Sequence, residues 1–163
     1  MDSDTGILFI CDASNGRNKW LSTHENTLFG EDTGTCNSGQ DPGSNANCNV
    51  DWGDALGPDG ATDLGLYNPY PITITAYGFS ADNDACTSGS FDVEVWSTGS
   101  NANDDNFSFE SNVATGLNGQ AHNSSTLNVD IAGNQYLLWG IDNNCGQNID
   151  DWNVILHYRI RHD

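Results

Sequence analysis

Basic residues are scarce in this sequence of 163 residues: 4 Lys and Arg stand against 23 Asp and Glu, and the formal net charge at pH 7 is −19. This imbalance excludes nucleic acid as a partner, because contact with phosphate groups requires a basic surface. It also opposes adsorption to an anionic membrane surface. The acidity instead favours solubility and repulsion between surfaces that should not associate.

Long hydrophobic runs are also missing. The apolar run at residues 6–11 (GILFIC) is too short to cross a bilayer. The residues before it, Met1 to Asp4, are acidic where a secretory signal would be basic, so we expect synthesis in a cytoplasm without a signal peptide. We expect the run itself to form a short strand that is buried on both faces or covered by a neighbour.

Signatures of catalysis and of zinc binding do not occur. The sequence has no HExxH, no GxSxG and no CxxC motif, and its four His share no spacing. Its neighbouring carboxylates lie in polar turns, whereas a glycosidase needs one carboxyl group in an apolar niche. We therefore predict no enzyme activity and no catalytic, cofactor-binding or metal-binding residues. Calcium stays open, since Asp82-Asn83-Asp84 and Asp142-Asn143-Asn144 offer suitable oxygens without the twelve-residue loop pattern.

Helix signals are absent as well. No stretch keeps a 3.6-residue period, and abundant Gly, Asn and Asp favour turns. Between these turns, apolar and polar residues alternate as in half-buried strands. The predicted strands cover residues 6–11, 71–79, 91–96, 107–109, 127–131, 135–141 and 152–161, and the polar segment 142–151 is predicted to be a turn. Seven or eight short strands predict an all-β protein, an antiparallel, jelly-roll-like β-sandwich.

The length suits one domain, residues 1–163. Residues 1–30 hold the N-terminal strand and a stretch that we interpret as an anchor, and residues 66–163 hold the main strands. Residues 31–65 contain few large apolar side chains, which predicts one long excursion on the surface, ordered and pinned by Trp52.

The five cysteines allow two pairs. Cys36 and Cys48 bracket a polar loop and could be bridged in an oxidising exterior, Cys86 and Cys145 form a second possible pair, and Cys11 would stay free. The alternative is five buried free thiols, and the connectivity cannot be deduced from the sequence.

Residues 12–30 combine two of the four cations with apolar side chains. Arg17 and Lys19 lie beside Trp20 and Leu21, and Phe29 follows. If the first and last strands are neighbours, Arg159 and Arg161 join them, and all positive charge collects at one pole. Such a pole would favour association with copies of the chain or docking on a negative platform. The alternatives are scattered surface ion pairs and a Trp20 that fills the core.

A second group of aromatic residues is a candidate for contact with glycans. Trp52, Tyr67 and Tyr70 could stack on sugar rings if they are exposed. Packing in the core is the commoner use of such side chains.

Motifs along the chain resemble a known family. The opening carries Asp12, Ser14, the run Arg17-Asn18-Lys19-Trp20-Leu21-Ser22, and Phe29-Gly30. It resembles the opening of small β domains in virion proteins of tailed bacteriophages, which occur in head-decoration, head-fibre and tail-fibre-like polypeptides. Segments similar to later parts of that family follow in order at residues 64–67, 72–79, 91–95, 127–137 and 154–159.

The resemblance implies a non-enzymatic structural protein of the virion exterior, made in the host cytoplasm and assembled as a homotrimer. Its partners would be copies of itself and the major capsid protein or another virion protein. The residues that we expect near these contacts are Arg17, Lys19, Trp20, Leu21, Phe29, Arg159 and Arg161. The alternative is a carbohydrate- or receptor-binding module that contacts a host surface glycan through Trp52, Tyr67 and Tyr70.

Overall fold

The computed structural model describes residues 6–31, 34–42, 46–50, 65–82, 86–99 and 107–162. Within these ranges the chain forms strands and two 3₁₀ turns, Ser14–Gly16 and Ala46–Cys48, but no α-helix, so none that could cross a membrane. The strands are β1 (Phe9–Asp12), β2 (Lys19–Ser22), β3 (Asn26–Glu31), β4 (Thr35–Cys36), β5 (Leu66–Asn68), β6 (Ile72–Ser80), β7 (Gly89–Thr98), β8 (Ser108–Leu117), β9 (Ala121–Ser124), β10 (Val129–Ile131), β11 (Gln135–Cys145), β12 (Ile149–Asp150) and β13 (Asn153–His162).

The strands form an antiparallel β-sandwich, as predicted. The first sheet has the order β1-β2-β13-β6-β10, with β3 added on β13 and β9 added on β6. The second sheet has the order β5-β11-β7-β8, and β4 pairs with β12 in a small third sheet. β13 joins the two ends of the described chain, because it pairs with β2, β3 and β6.

The core lies between the two large sheets and follows from the alternation of apolar residues. Phe91, Val93 and Val95 of β7 point inward. They meet Ile72, Ile74 and Phe79 of β6 in one apolar cluster. The rings of Phe79 and Phe91 lie 4.4 Å apart between centroids, which links the two sheets directly. Aromatic pairs of this kind stabilise a core beyond the area that they bury.

Part of the predicted excursion lies flat on the second sheet. Asn49 forms a bridge to Gly140 of β11, and Val50 N donates to Trp139 O at 2.9 Å. The approach is so close that a Cβ atom on Gly140 would overlap Cys48 O. Residues 51–64, which include Trp52, lie outside the described part of the chain.

Both cysteine pairs considered above are disulfides. Cys36 is bonded to Cys48, which ties the excursion to itself. Cys86 is bonded to Cys145, which ties the segment before β7 to the end of β11. Cys11 is free and exposed, so the alternative of five buried thiols is wrong.

Two predictions about secondary structure are wrong. The segment 142–151 is not one turn, since β11 continues to Cys145 and β12 follows. Asn143 is fully buried there, and its Nδ2 donates to Cys36 O at 2.8 Å, so the interior satisfies the polar side chain. β8 is also longer than predicted, because its pairing with β7 tolerates three register shifts that blur the alternation.

The run 6–11 is the third correction. β1 begins only at Phe9 and lies at the edge of the first sheet, paired with β2 alone among the described strands. Leu8 and Ile10 remain 50% and 44% exposed. The run is therefore not buried on both faces, and on one side of β1 no other described strand covers it.

Candidate functional site

β13, the last described strand, is a neighbour of β2 and is separated by it from β1, the first, and this arrangement brings all four Lys and Arg residues together. Leu21 of β2 pairs with Arg161 of β13, and Trp20 pairs with His162. Two carboxylates, Asp12 and Asp130, each contact two of the four cations. We call these six residues the ionic cluster: Asp12, Arg17, Lys19, Asp130, Arg159 and Arg161.

Asp12 and Arg17 form the buried half of the ionic cluster. Arg17 Nη1 lies 3.0 Å from Asp12 Oδ2, and its Nε and Nη2 donate to Leu127 O and Thr75 O at 2.9 and 3.3 Å. The Ser14 hydroxyl donates to Asp12 and, together with the Ser14 N–H and Arg17, lowers the pKa of Asp12 to about 2 against the cost of burial. Arg17 thus links the end of β1 to β6 and to the segment before β10.

Asp130 organises the more exposed half of the ionic cluster. Lys19 Nζ lies 2.6 Å from Asp130 Oδ1, and Arg161 Nη1 lies 3.0 Å from Oδ2. Burial opposes the charged form of this carboxyl group. The hydrogen bonds from Lys19 and Thr73 and the charge of Arg161 outweigh burial, so the pKa of Asp130 is lowered. Four cations and two carboxylates leave a formal excess of two positive charges here, in a chain that is otherwise acidic.

The apolar residues expected at contacts divide into two groups. Leu21 is fully buried, whereas Trp20 and Phe29 are 55% and 64% exposed. Trp20 therefore does not fill the core. Since the cations beside it are paired within the chain, the described side chains that this sheet offers to a partner are apolar: these two aromatics and, at the edge of the sheet, Leu8 and Ile10.

The tyrosines proposed for glycan contact are exposed, so their alternative use as core residues is wrong. Tyr67 of β5 lies 5.2 Å from Tyr136 between ring centroids, and its hydroxyl is 3.5 Å from Asn134 Oδ1. Tyr70 is exposed three residues later. Trp52, the third residue proposed for glycan contact, lies outside the described residues.

A cluster of three carboxylates on the second sheet was not predicted from the sequence. Asp92 and Glu94 of β7 and Asp142 of β11 bring oxygen atoms within 4.8 Å of one another. Asp92 and Asp142 are direct cross-strand partners. The i, i+2 spacing of two acids was visible in the sequence, but their partner depends on a strand register that the sequence does not reveal.

This carboxylate cluster has the hard oxygen donors that calcium or magnesium takes. The segment Asp142-Asn143-Asn144, which the sequence offered as a calcium-binding loop, is not a loop, because all three residues lie in β11. The Asn143 side chain is already bonded to backbone atoms. The other calcium candidate, at residues 82–84, extends beyond the described residues.

Glu94 is the buried member of the carboxylate cluster, and replacing it with Gln should stabilise the protein above neutral pH. Glu94 is 6% exposed, and this burial raises its pKa to about 7. The hydrogen bond from Trp96 lowers the pKa, whereas the negative charges of Asp142, Asp92 and Asp41 raise it further. The folded state therefore holds a proton that the unfolded state releases near its ordinary pKa of 4.5. Stability is lost as the pH rises from about 4.5 to about 7.

We expect Glu94→Gln to raise the free energy of unfolding by about 2 kcal/mol at pH 8 and to change it little at pH 4, because the amide oxygen can still accept from Trp96. Urea titrations at both pH values measure the difference. Asp150→Asn, at an exposed position of β12, is the control and should be neutral at both. An equal effect of Glu94→Gln at the two pH values would contradict the argument.

Comparison with known proteins adds no family to this picture. No protein-family model matches the chain, and no curated protein matches its sequence.

Proposed function

We propose that this chain is a non-enzymatic structural protein of the exterior of a bacteriophage virion, where it assembles by self-association. The observation that carries the proposal is the exposure of Trp20 and Phe29 on a sheet whose cations are paired internally. Large aromatic side chains at a surface of this kind favour burial against another protein. Trp20 also belongs to the motif on which the resemblance to virion proteins rests.

The disulfides support an exterior location. Two bonds cross-link the described chain, and bonds of this kind persist in oxidising surroundings. A protein made in a host cytoplasm would form them after release. Association with the major capsid protein or another virion protein belongs to the proposal, and a trimer is the stoichiometry that the resemblance implies.

Virions from the source of this sequence provide the test. We expect mass spectrometry of purified particles to detect the chain in many copies, and immunogold labelling to place it on the outside. Virions without the chain, or a label confined to infected-cell lysate, would overturn the proposed function.

The two exposed aromatics should carry the attachment. We expect Trp20→Ser and Phe29→Ser each to weaken self-association or binding to particles about tenfold or more, because each removes an apolar side chain that a partner would cover. Binding of the purified, labelled chain to particles that lack it, followed by co-sedimentation, measures the change. Phe109→Ser is the matched control, since Phe109 is comparably exposed but lies on β8 of the other sheet. Equal losses for all three variants would point to a general effect on folding.

The second candidate function is binding of a carbohydrate on the host surface. The exposure of Tyr67 and Tyr70 beside the Asn134 amide favours it, since aromatic faces and amides commonly bind sugars. A glycan array with the unmodified chain and with Tyr67→Ala decides between the two functions. Binding that Tyr67→Ala abolishes would favour the second function, and an array without signal would leave the first.

A further inference from the structure

One side of β1 has no neighbouring strand among the described residues. Leu8 O accepts from Thr23 N at 2.9 Å, so alternate residues of the strand direct their backbone groups toward β2. The residues between them, Phe9 and Cys11, therefore present N–H and C=O on the opposite side. Among the described residues, no strand pairs with β1 on that side. Four backbone groups are thus available for hydrogen bonds to another strand.

The side chains of β1 do not protect this edge. Exposed edge strands usually carry charged residues, proline or a bulge that prevents pairing with other chains. Here Leu8 and Ile10 are about half exposed and Cys11 is exposed. The single charged residue of the strand, Asp12, is buried and paired with Arg17 and Arg159. The edge is consequently apolar as well as unpaired.

Charge makes a second copy of this chain the fitting partner. Copies with a net charge of −19 repel one another over most of their surface. Residues 6–24 contain one acid, Asp12, and two cations, Arg17 and Lys19, so this hairpin carries a small positive excess. Asp130, Arg159 and Arg161, the rest of the ionic cluster, add one further positive charge beside it. The charge at this contact is small in each copy, so two copies repel each other less through their hairpins than through their acidic surfaces.

We propose that β1 pairs antiparallel with β1 of a second copy across a two-fold axis, in the register centred on Ile10. In this register Phe9 of each copy exchanges backbone hydrogen bonds with Cys11 of the other, which uses all four free groups. The two Ile10 side chains meet at the axis, and the two first sheets become one continuous sheet. The proposal rests on the self-association proposed above and names one contact of it. A two-fold contact can link trimers in pairs as well as form a dimer.

A proline at position 11 tests the hydrogen bonds. The Cys11 N–H points away from β2, so Cys11→Pro removes a bond to the second copy without removing one inside the chain. Cys11→Ala is the matched control, because it keeps the N–H and removes only the thiol. In sedimentation velocity at 0.15 M salt we expect even-numbered assemblies for the unmodified chain and Cys11→Ala. We expect at least about tenfold weaker association for Cys11→Pro.

A charge at the axis gives a second, independent variant. Ile10→Lys places two like charges opposite each other and should weaken association by about tenfold or more. Thr23→Lys adds the same charge beside the hairpin, away from the free edge, and should leave association unchanged. Hydrogen exchange on the unmodified chain needs no variant. We expect the Phe9 and Cys11 amides to be protected at high concentration and to lose protection on dilution.

These results separate the edge contact from the proposed function. An unmodified chain without a two-fold contact, unprotected Phe9 and Cys11 amides in the associated form, or variants that associate as their controls do would each overturn the pairing of β1. The chain could still be found on virions in that case. Conversely, a β1-paired dimer that is absent from virions would overturn the virion proposal and leave the edge contact standing.

Discussion

Replacing Cys86 and Cys145 together with alanine is expected to lower the free energy of unfolding by about 4 kcal/mol, and the same change at Cys36 and Cys48 by about 3 kcal/mol. The ranking follows from the chain length that each bond closes, because a longer closed loop restricts the unfolded state more. The first pair is 59 residues apart and the second 12. Urea titrations without reductant measure both differences.

Cys11→Ala is the control for these variants, since Cys11 is free and exposed and its replacement should leave stability unchanged. Reductant should lower the stability of the unmodified chain and have little effect on a variant without the four bonded cysteines. The same loss for both pairs, or a larger loss for Cys36 and Cys48, would show that local packing rather than loop length governs these bonds.

The strand pattern and the cysteine pairs were accessible from the sequence for different physical reasons. Where one face of a strand is buried, the side chains must alternate, and Ile72 to Phe79 and Phe91 to Val95 do so. Cys36 and Cys48 bracket a polar loop and are 12 residues apart, so little chain entropy is lost when the two thiols meet. Cys86 and Cys145 meet only through the register of β7 and β11, so the sequence could suggest this pair but could not establish it.

Burial of polar groups is what the sequence concealed. Asn143 and Arg17 are buried although their residue types usually lie at the surface, because backbone carbonyls from distant parts of the chain accept their hydrogen bonds. The nearby Asp12 carboxylate also pairs with Arg17. Glu94 is the converse case, a buried acid among other acids. Each depends on contacts between distant parts of the chain or on a strand register, and a local pattern does not contain such contacts.

Exposure at the edge of a sheet was concealed in the same way. The run 6–11 has the composition of a buried strand, yet β1 ends the first sheet and leaves Leu8 and Ile10 half exposed. Trp20 on β2 is exposed as well. Composition reports how much apolar surface a segment offers, whereas the position of the strand in the sheet decides what covers it. The apolar side chains that β1 and β2 leave exposed are the physical reason why the hairpin of residues 6–24 is proposed to bind a partner.

The second large effect is expected at Arg17. Arg17→Met should lower the free energy of unfolding by about 3–5 kcal/mol at neutral pH, because it leaves the buried Asp12 carboxylate with one distant cation, Arg159 at 3.7 Å. It also removes the donors to Leu127 O and Thr75 O. Lys19→Met is the matched control: its partner Asp130 is partly exposed, so we expect a loss of at most about 1 kcal/mol.

The pH dependence identifies the carboxylate as the cause. Folding lowers the pKa of Asp12 from 3.8 to about 2, so the charged form stabilises the folded state by about 2 kcal/mol above pH 4, and this contribution is lost as the pH falls toward 2. A protonated Asp12 needs no cation. The difference in stability between the unmodified chain and Arg17→Met should therefore shrink between pH 4 and pH 2, while the difference for Lys19→Met stays small throughout. Urea titrations along this pH range measure this difference. If the loss of stability caused by Arg17→Met were the same at pH 4 and pH 2, the role of Asp12 would be contradicted. The loss would then come from the two backbone carbonyls alone.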